Sequence, residues 1–149
     1  MRMTDGFWQL EFYEDDNGRA PCREWIKRDL NDVERAALNV AFTHVLKVRG
    51  LNVCGTEWGK QLGEGLFEFR VRHTAAETAS MFGNDENGLP RQKEKILLRV
   101  FCHAYGNRIV LLLSGYDKGD DPSEKRQAKE IKRARKLLKE FQGRKRRTK

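Results

Sequence analysis

The sequence predicts an α+β domain: an antiparallel, twisted sheet of about four strands, preceded by a helical hairpin and followed by a basic helix. Apolar residues alternate with period two in Phe7 to Tyr13 and in Leu66 to His73, and two further short apolar segments, Ile96 to His103 and Arg108 to Tyr116, flank a turn. They recur at helical spacing between Pro21 and Val48 and again between Ala128 and Phe141. Runs of strands bounded by runs of helices, without a repeating βα order, point to α+β rather than to a parallel doubly wound sheet.

Phe7 to Tyr13 sets Trp8, Leu10 and Phe12 against Phe7, Gln9, Glu11 and Tyr13, the pattern of a strand, and Asn17-Gly18 then turns the chain. Pro21 suits a first helical turn, with Cys22, Trp25, Ile26 and Leu30 on one stripe. Asp32 is the expected N-cap of a second helix, in which Val33, Ala36, Ala37, Val40, His44, Val45 and Val48 line one face before Gly50 stops it. Leu51 to Glu64, punctuated by glycine, is expected to be irregular.

Leu66 to His73 alternates cleanly, placing Phe67, Phe69 and Val71 on one face and Glu68, Arg70 and Arg72 on the other. Thr74 to Lys93 reads as a long polar loop. Ile96 to His103 and Arg108 to Tyr116 flank Tyr105-Gly106-Asn107 and are expected to form a hairpin. Asp121, Pro122 and Glu124 resemble a helix start with Asp121 as cap, and the following helix is expected to stop at Gly143. One domain over residues 1–142 is therefore expected, with a basic, disordered tail over 143–149.

The net charge of +8 is concentrated at one end. Pro122 to Lys149 holds thirteen Lys and Arg against three Glu, leaving the rest of the chain slightly acidic. Such a field favours polyanions, although a solvated helix face gives the same composition. Cys22, Cys54 and Cys102 form neither a CxxC nor a His-paired spacing, so neither a disulfide framework nor a zinc site is indicated. The first twenty residues carry five acids and no apolar run, and Ile109 to Leu113 is too short to cross a bilayer. A soluble, cytoplasmic protein with no membrane partner is expected.

Chemistry is expected on the polar sheet face. Arginine grips two phosphate oxygens in a fork and lysine acts as a point charge, so Arg70, Arg72 and Arg99 with Tyr116 and Lys118 suit a phosphate if the strands bring them together. Arg70 and Arg72 could equally pair with Glu68, and Tyr116 could serve packing. Arg99 interrupts an apolar run and needs a partner. His73 and His103 end strands, where each could transfer a proton or merely line a loop mouth, whereas His44 lies on an apolar helical stripe. No P-loop or Ser or Cys nucleophile signature is present, the one carboxylate pair, Asp120-Asp121, looks more like a helix cap than a metal site, and no cofactor or metal is expected.

Lys60 to Arg70 (KQLGEGLFEFR), Leu98-Arg99-Val100-Phe101, and Ile109 to Lys118 (IVLLLSGYDK) follow one another in an order that resembles the phage-derived HigB-like branch of the RelE/ParE toxin superfamily. The resemblance runs from about residue 7 to 141 and includes Pro122 and Glu130-Ile131-x-x-Ala134. It implies a RelE-like fold and the toxin of a type II toxin–antitoxin system, a hydrolase that cleaves mRNA on the ribosome without a metal. A cognate antitoxin, commonly a helix-turn-helix protein, is the implied partner. By the same resemblance Arg70 and Arg99 meet the scissile phosphate, Lys118 does electrostatic or proton-transfer work, and Tyr116 stacks on a base or transfers a proton. Lys60, Arg72, His73 and His103 are secondary RNA-binding candidates. The superfamily also contains ParE-like gyrase inhibitors, and a non-catalytic, phage-derived nucleic-acid-binding module remains a further alternative.

Overall fold

The computed structural model describes residues 7–83 and 95–147 and has α+β architecture. Its sheet is mixed and has five strands rather than four, in the order β1-β5-β4-β3-β2. The strands are β1 (Gln9–Phe12), β2 (Gly59–Gly63), β3 (Leu66–Val71), β4 (Leu98–Tyr105) and β5 (Ile109–Asp117). Neighbours among β2 to β5 run antiparallel, but β1 runs parallel to β5, with Leu10 opposite Val110 and Phe12 opposite Leu112. The expectation of a wholly antiparallel sheet is therefore corrected. A period of two reveals that Phe7 to Tyr13 is extended, but it carries no information about strand direction.

The extra strand is β2, which lies in the stretch expected to be irregular. Its two glycines and exposed Lys60 and Gln61 hide it from a pattern built on apolar alternation, and as a short edge strand it has little to bury. Glu64 and Gly65 close the β2–β3 hairpin at φ +53° and +84°, as the primed two-residue turns require. The β4–β5 hairpin forms where expected, turning through Gly106 to Arg108.

One sheet face is covered by α1 (Pro21–Asp29) and α2 (Asp32–Ala41), the latter continuing through a π-helical turn (Phe42–Leu46) into α3 (Lys47–Arg49). Asn31, not Asp32, caps α2: its side chain accepts from Glu34 N at 2.8 Å while Glu34 Oε1 accepts from Asn31 N at 2.9 Å. Phe67, Phe69, Val71, Leu98, Val100 and Leu112 join Trp25, Leu38 and Phe42 in this core. Trp25 packs closely against β5 because residue 115 is glycine, and a Cβ there would fall 2.3 Å from the indole.

Thr74 to Lys93 is not all loop, since α4 (Ala75–Met81) opens with a second reciprocal cap between Thr74 and Glu77. Residues 84–93 of that expected loop lie outside the described residues. After β5, Ser123 rather than Asp121 caps the last helix, its Oγ accepting from Arg126 N at 3.1 Å. This helix, α5 (Glu124–Arg147), crosses the other sheet face and does not stop at Gly143. Arg144 holds the extension by donating to Glu14 O at 2.7 Å and lying over the Tyr13 ring. The expected disordered tail is thus helical through Arg147. Among the described residues no helix is long and apolar enough to cross a membrane.

Candidate functional site

The hairpin registers bring three of the expected residues into one row. Arg70 on β3 stands opposite Arg99 on β4, and Arg99 stands opposite Tyr116 on β5. Strict alternation along β5 would put Tyr116 on the face away from Leu111 and Leu113. A bulge intervenes: Phe101 pairs with Ser114 and Cys102 with Leu112, so Leu113 is the extra residue. The bulge returns Ser114 and Tyr116 to the face of Phe101 and Arg99, where the Tyr116 ring stacks on Phe101 with centroids 6.0 Å apart.

Glu68 ties the row together. Its Oε1 lies 2.8 Å from Arg99 Nε and 3.1 Å from Arg70 Nε, and the carboxylate is fully buried. The pairing of Arg70 with Glu68 left open by the sequence is therefore present, and Arg99 has the partner that its burial demands. Arg99 Nη1 also donates to Leu98 O at 3.2 Å. One carboxylate between two guanidiniums leaves an excess of one positive charge. Burial lowers the pKa of Arg99 and the nearby Arg70 and Arg72 add to this, while Glu68 opposes it. Burial, followed by the charge of Glu68, raises the Tyr116 pKa, with Arg99 pulling it down. Near neutral pH Tyr116 is a phenol that can donate a proton, not a phenolate that can take one.

α5 covers the Tyr116 end of the row. Arg99 is only 2% exposed and Tyr116 1%. Ala134 and Leu138 of α5 are buried in the same cluster as Leu66, Phe101 and Tyr116, and the Arg126 guanidinium sits 5.3 Å from the centre of the Tyr116 ring. Arg126 is held there by Glu130, whose Oε2 accepts from its Nε at 2.7 Å. Beneath the helix the hydrogen bonding is incomplete. Glu68 Oε2, Arg99 Nε, Ser114 Oγ and Tyr116 OH are buried with no hydrogen-bond partner among the described residues, although Arg99 Nε keeps its ionic contact to Glu68. An unmet buried polar atom typically costs about 1–3 kcal/mol.

Arg70 retains a fifth of its side-chain surface, Arg72 is exposed, and Lys118 is half-buried just beyond β5, its N–H donating to Leu97 O at 2.8 Å. Of the secondary candidates, Lys60 is exposed and stands opposite Glu68, one row from Arg70. His103 shares the face of Arg99 but is four residues along β4, roughly 13 Å away at strand rise. Its Nδ1 meets Gly65 O at 2.7 Å and its ring packs with Tyr105 and Phe141, a structural role. His73 falls on the opposite face, paired with Glu57 at 2.7 Å and tilted on Trp58. It does not join the row. Ser114, Arg126 and Glu130 were not anticipated, because both the bulge and the crossing of α5 are tertiary features.

Outside the row, Lys125, Lys129, Lys132, Lys136 and Lys139 recur at steps of four and three and are all exposed, forming one cationic stripe along α5. Among the described residues no three His, Cys, Asp or Glu side chains gather so as to hold a metal ion. Comparison with protein-family models gives no match, and comparison with the sequences of curated proteins gives none either.

Proposed function

We propose that this chain is the toxin of a type II toxin–antitoxin pair: a cytoplasmic, metal-independent endoribonuclease that cleaves mRNA on the ribosome and is silenced by a cognate antitoxin. The observation that carries this reading is the row Arg70–Arg99–Tyr116 across three adjacent strands, with Glu68 touching both arginines. The ribose 2′-hydroxyl supplies the nucleophile, so the reaction forms a 2′,3′-cyclic phosphate and releases a 5′-hydroxyl. Arg70 and Arg99 offset the charge that grows on the phosphate. Glu68, through Oε2, is the acceptor for the 2′-hydroxyl proton, and Tyr116 donates a proton to the departing 5′-oxygen. Lys118 and Arg72 add positive potential at the open end of the row, and the α5 lysine stripe attracts the RNA backbone.

A second reading, a non-catalytic nucleic-acid-binding protein, is favoured by the contrast between the exposed lysine stripe and the buried row. Induction of the chain in bacteria, with mapping of new mRNA 5′ ends and a parallel gyrase supercoiling assay, separates the two. New 5′-hydroxyl ends are expected, and Arg70→Ala should remove them. Growth arrest with intact transcripts would contradict the ribonuclease reading, and loss of supercoiling would favour a gyrase-directed toxin.

A further inference from the structure

We propose that α5 is a movable cover over the Arg70–Arg99–Tyr116 row, and that RNA reaches Arg99 and Tyr116 only when this helix leaves the sheet. The regulation rests on reading that row as the cleavage site.

Three features of the chain lead there. Arg99 and Tyr116 are too deeply buried to touch a phosphate while α5 is in place. Three buried polar atoms with neither a hydrogen-bond nor an ionic partner among the described residues, Glu68 Oε2, Ser114 Oγ and Tyr116 OH, lie on the face that α5 crosses. Undocking returns them to water or hands them to a phosphate and ribose, which present the acceptors and donors that they lack. The helix's own share of the contact is narrow for 24 residues, although Leu66, Phe101, Leu111 and Leu113 of the sheet are buried in the same cluster. Among its described side chains only Ala134, Leu138 and Glu130 are buried, and Ile131, Leu137 and Phe141 are partly so.

The rest of its attachment is polar and peripheral. Arg135 donates to Leu62 O and Gly63 O on the edge strand, Glu140 accepts from Tyr13, and Arg144 reaches Glu14 O and Asp16. The Arg144 contacts and the Arg135 bond to Gly63 O are exposed and readily exchanged for water, whereas the Leu62 and Tyr13 bonds are part-buried. Like charges along Lys125, Lys129, Lys132, Lys136 and Lys139 repel one another at helical spacing, and a polyanion relieves that repulsion. RNA that binds the stripe and then the uncovered row gains contacts in the open form which the closed form lacks, and that difference is what shifts an equilibrium.

The two sheet faces supply an internal control for the test. Tyr116 lies under α5, whereas Cys22 and Cys102 are fully buried in the opposite core, beneath α1 and α2. The full chain is titrated with urea below its unfolding transition while Tyr116 nitration by tetranitromethane and Cys22 and Cys102 labelling by a maleimide are followed by mass spectrometry. Tyr116 is expected to become reactive at lower urea than either cysteine, as in a local opening. In Leu138→Ala, its nitration without urea should rise about tenfold or more while the buried thiols stay protected. The same variant should cleave RNA faster per molecule. Tyr116 and Cys102 opening together, at one urea concentration in the native chain, would overturn the cover. If Tyr116 opens alone and RNA stays intact, the cover stands and the ribonuclease reading falls.

Discussion

The two faces of the sheet are built from the same strands but solve different problems. Toward α1 and α2, every inward residue of β3 is apolar, and Phe69 stacks between Phe42 and Trp58 at centroid distances of 6.0 and 6.2 Å. Toward α5, the same strand presents Leu66, then Glu68 and Arg70, and its neighbours add Arg99, Ser114 and Tyr116. The first face repays the entropy of folding through burial. The second buries charge and unpaired hydrogen-bonding groups in one place, at a cost in that stabilisation.

Breaking the apolar face should have the largest effect. Phe69→Ala should cost about 3–5 kcal/mol by chemical denaturation, because it removes an aromatic ring that is fully buried between two others. On the polar face, Glu68→Ala leaves Arg99 charged and unpaired in the interior, at about 3–5 kcal/mol. The pair sharpens the comparison. In Glu68→Leu with Arg99→Met most of that stability should return, since a buried ion pair is often replaceable by apolar groups, while RNA cleavage stays lost. Recovered cleavage in the double variant would mean that the charges serve packing alone.

A smaller, pH-dependent effect should also belong to the α5 face. Burial and a hydrogen bond to the Glu140 carboxylate push Tyr13 up to about 12, and burial with a hydrogen bond to Glu11 does the same for Tyr105. The folded state thus holds these protons more tightly than the unfolded chain. Their contribution is complete below about pH 10, the ordinary tyrosine range, and is lost as pH climbs toward 12. Phenolate absorbance should show these tyrosines titrating late, with stability falling over the same interval. Titration of all three tyrosines near 10 would contradict the docked arrangement of α5.

Local pattern made much of this legible. Alternation in Leu66 to His73 assigns Phe67, Phe69 and Val71 to one face and Glu68, Arg70 and Arg72 to the other, as the structure has it. The Gly106-Asn107 turn marks the β4–β5 hairpin. The Thr74-x-x-Glu77 and Asn31-x-x-Glu34 caps were legible too, but their signals lay inside an expected loop and beside a competing Asp32. Other features are not local at all. The direction of β1 depends on a partner roughly a hundred residues away, the existence of β2 on pairing with β3, and the facing of Tyr116 on a one-residue bulge at Leu113. The C-terminal charge suggests a solvated end, yet Arg144 finds the Asp16 carboxylate and the Glu14 carbonyl, placed beside it only by the fold.

The candidate row was half visible. Residue types on β3 and β4 single out Arg70 and Arg99, and their register makes them neighbours. What the sequence could not convey is that Arg99 and Tyr116 are covered, because coverage depends on where α5 crosses.

The most direct test is to map mRNA 5′ ends after induction of the native chain, of Arg70→Ala, and of a Lys132→Gln, Lys136→Gln variant, with equal expression and folding verified. The native chain should generate new 5′-hydroxyl ends. Arg70→Ala should generate none, and the lysine variant should keep the same cleavage positions at lower efficiency with a weaker salt dependence. Undiminished cleavage by Arg70→Ala, or its loss only in the lysine variant, would contradict placing the chemistry in the Arg70–Arg99–Tyr116 row.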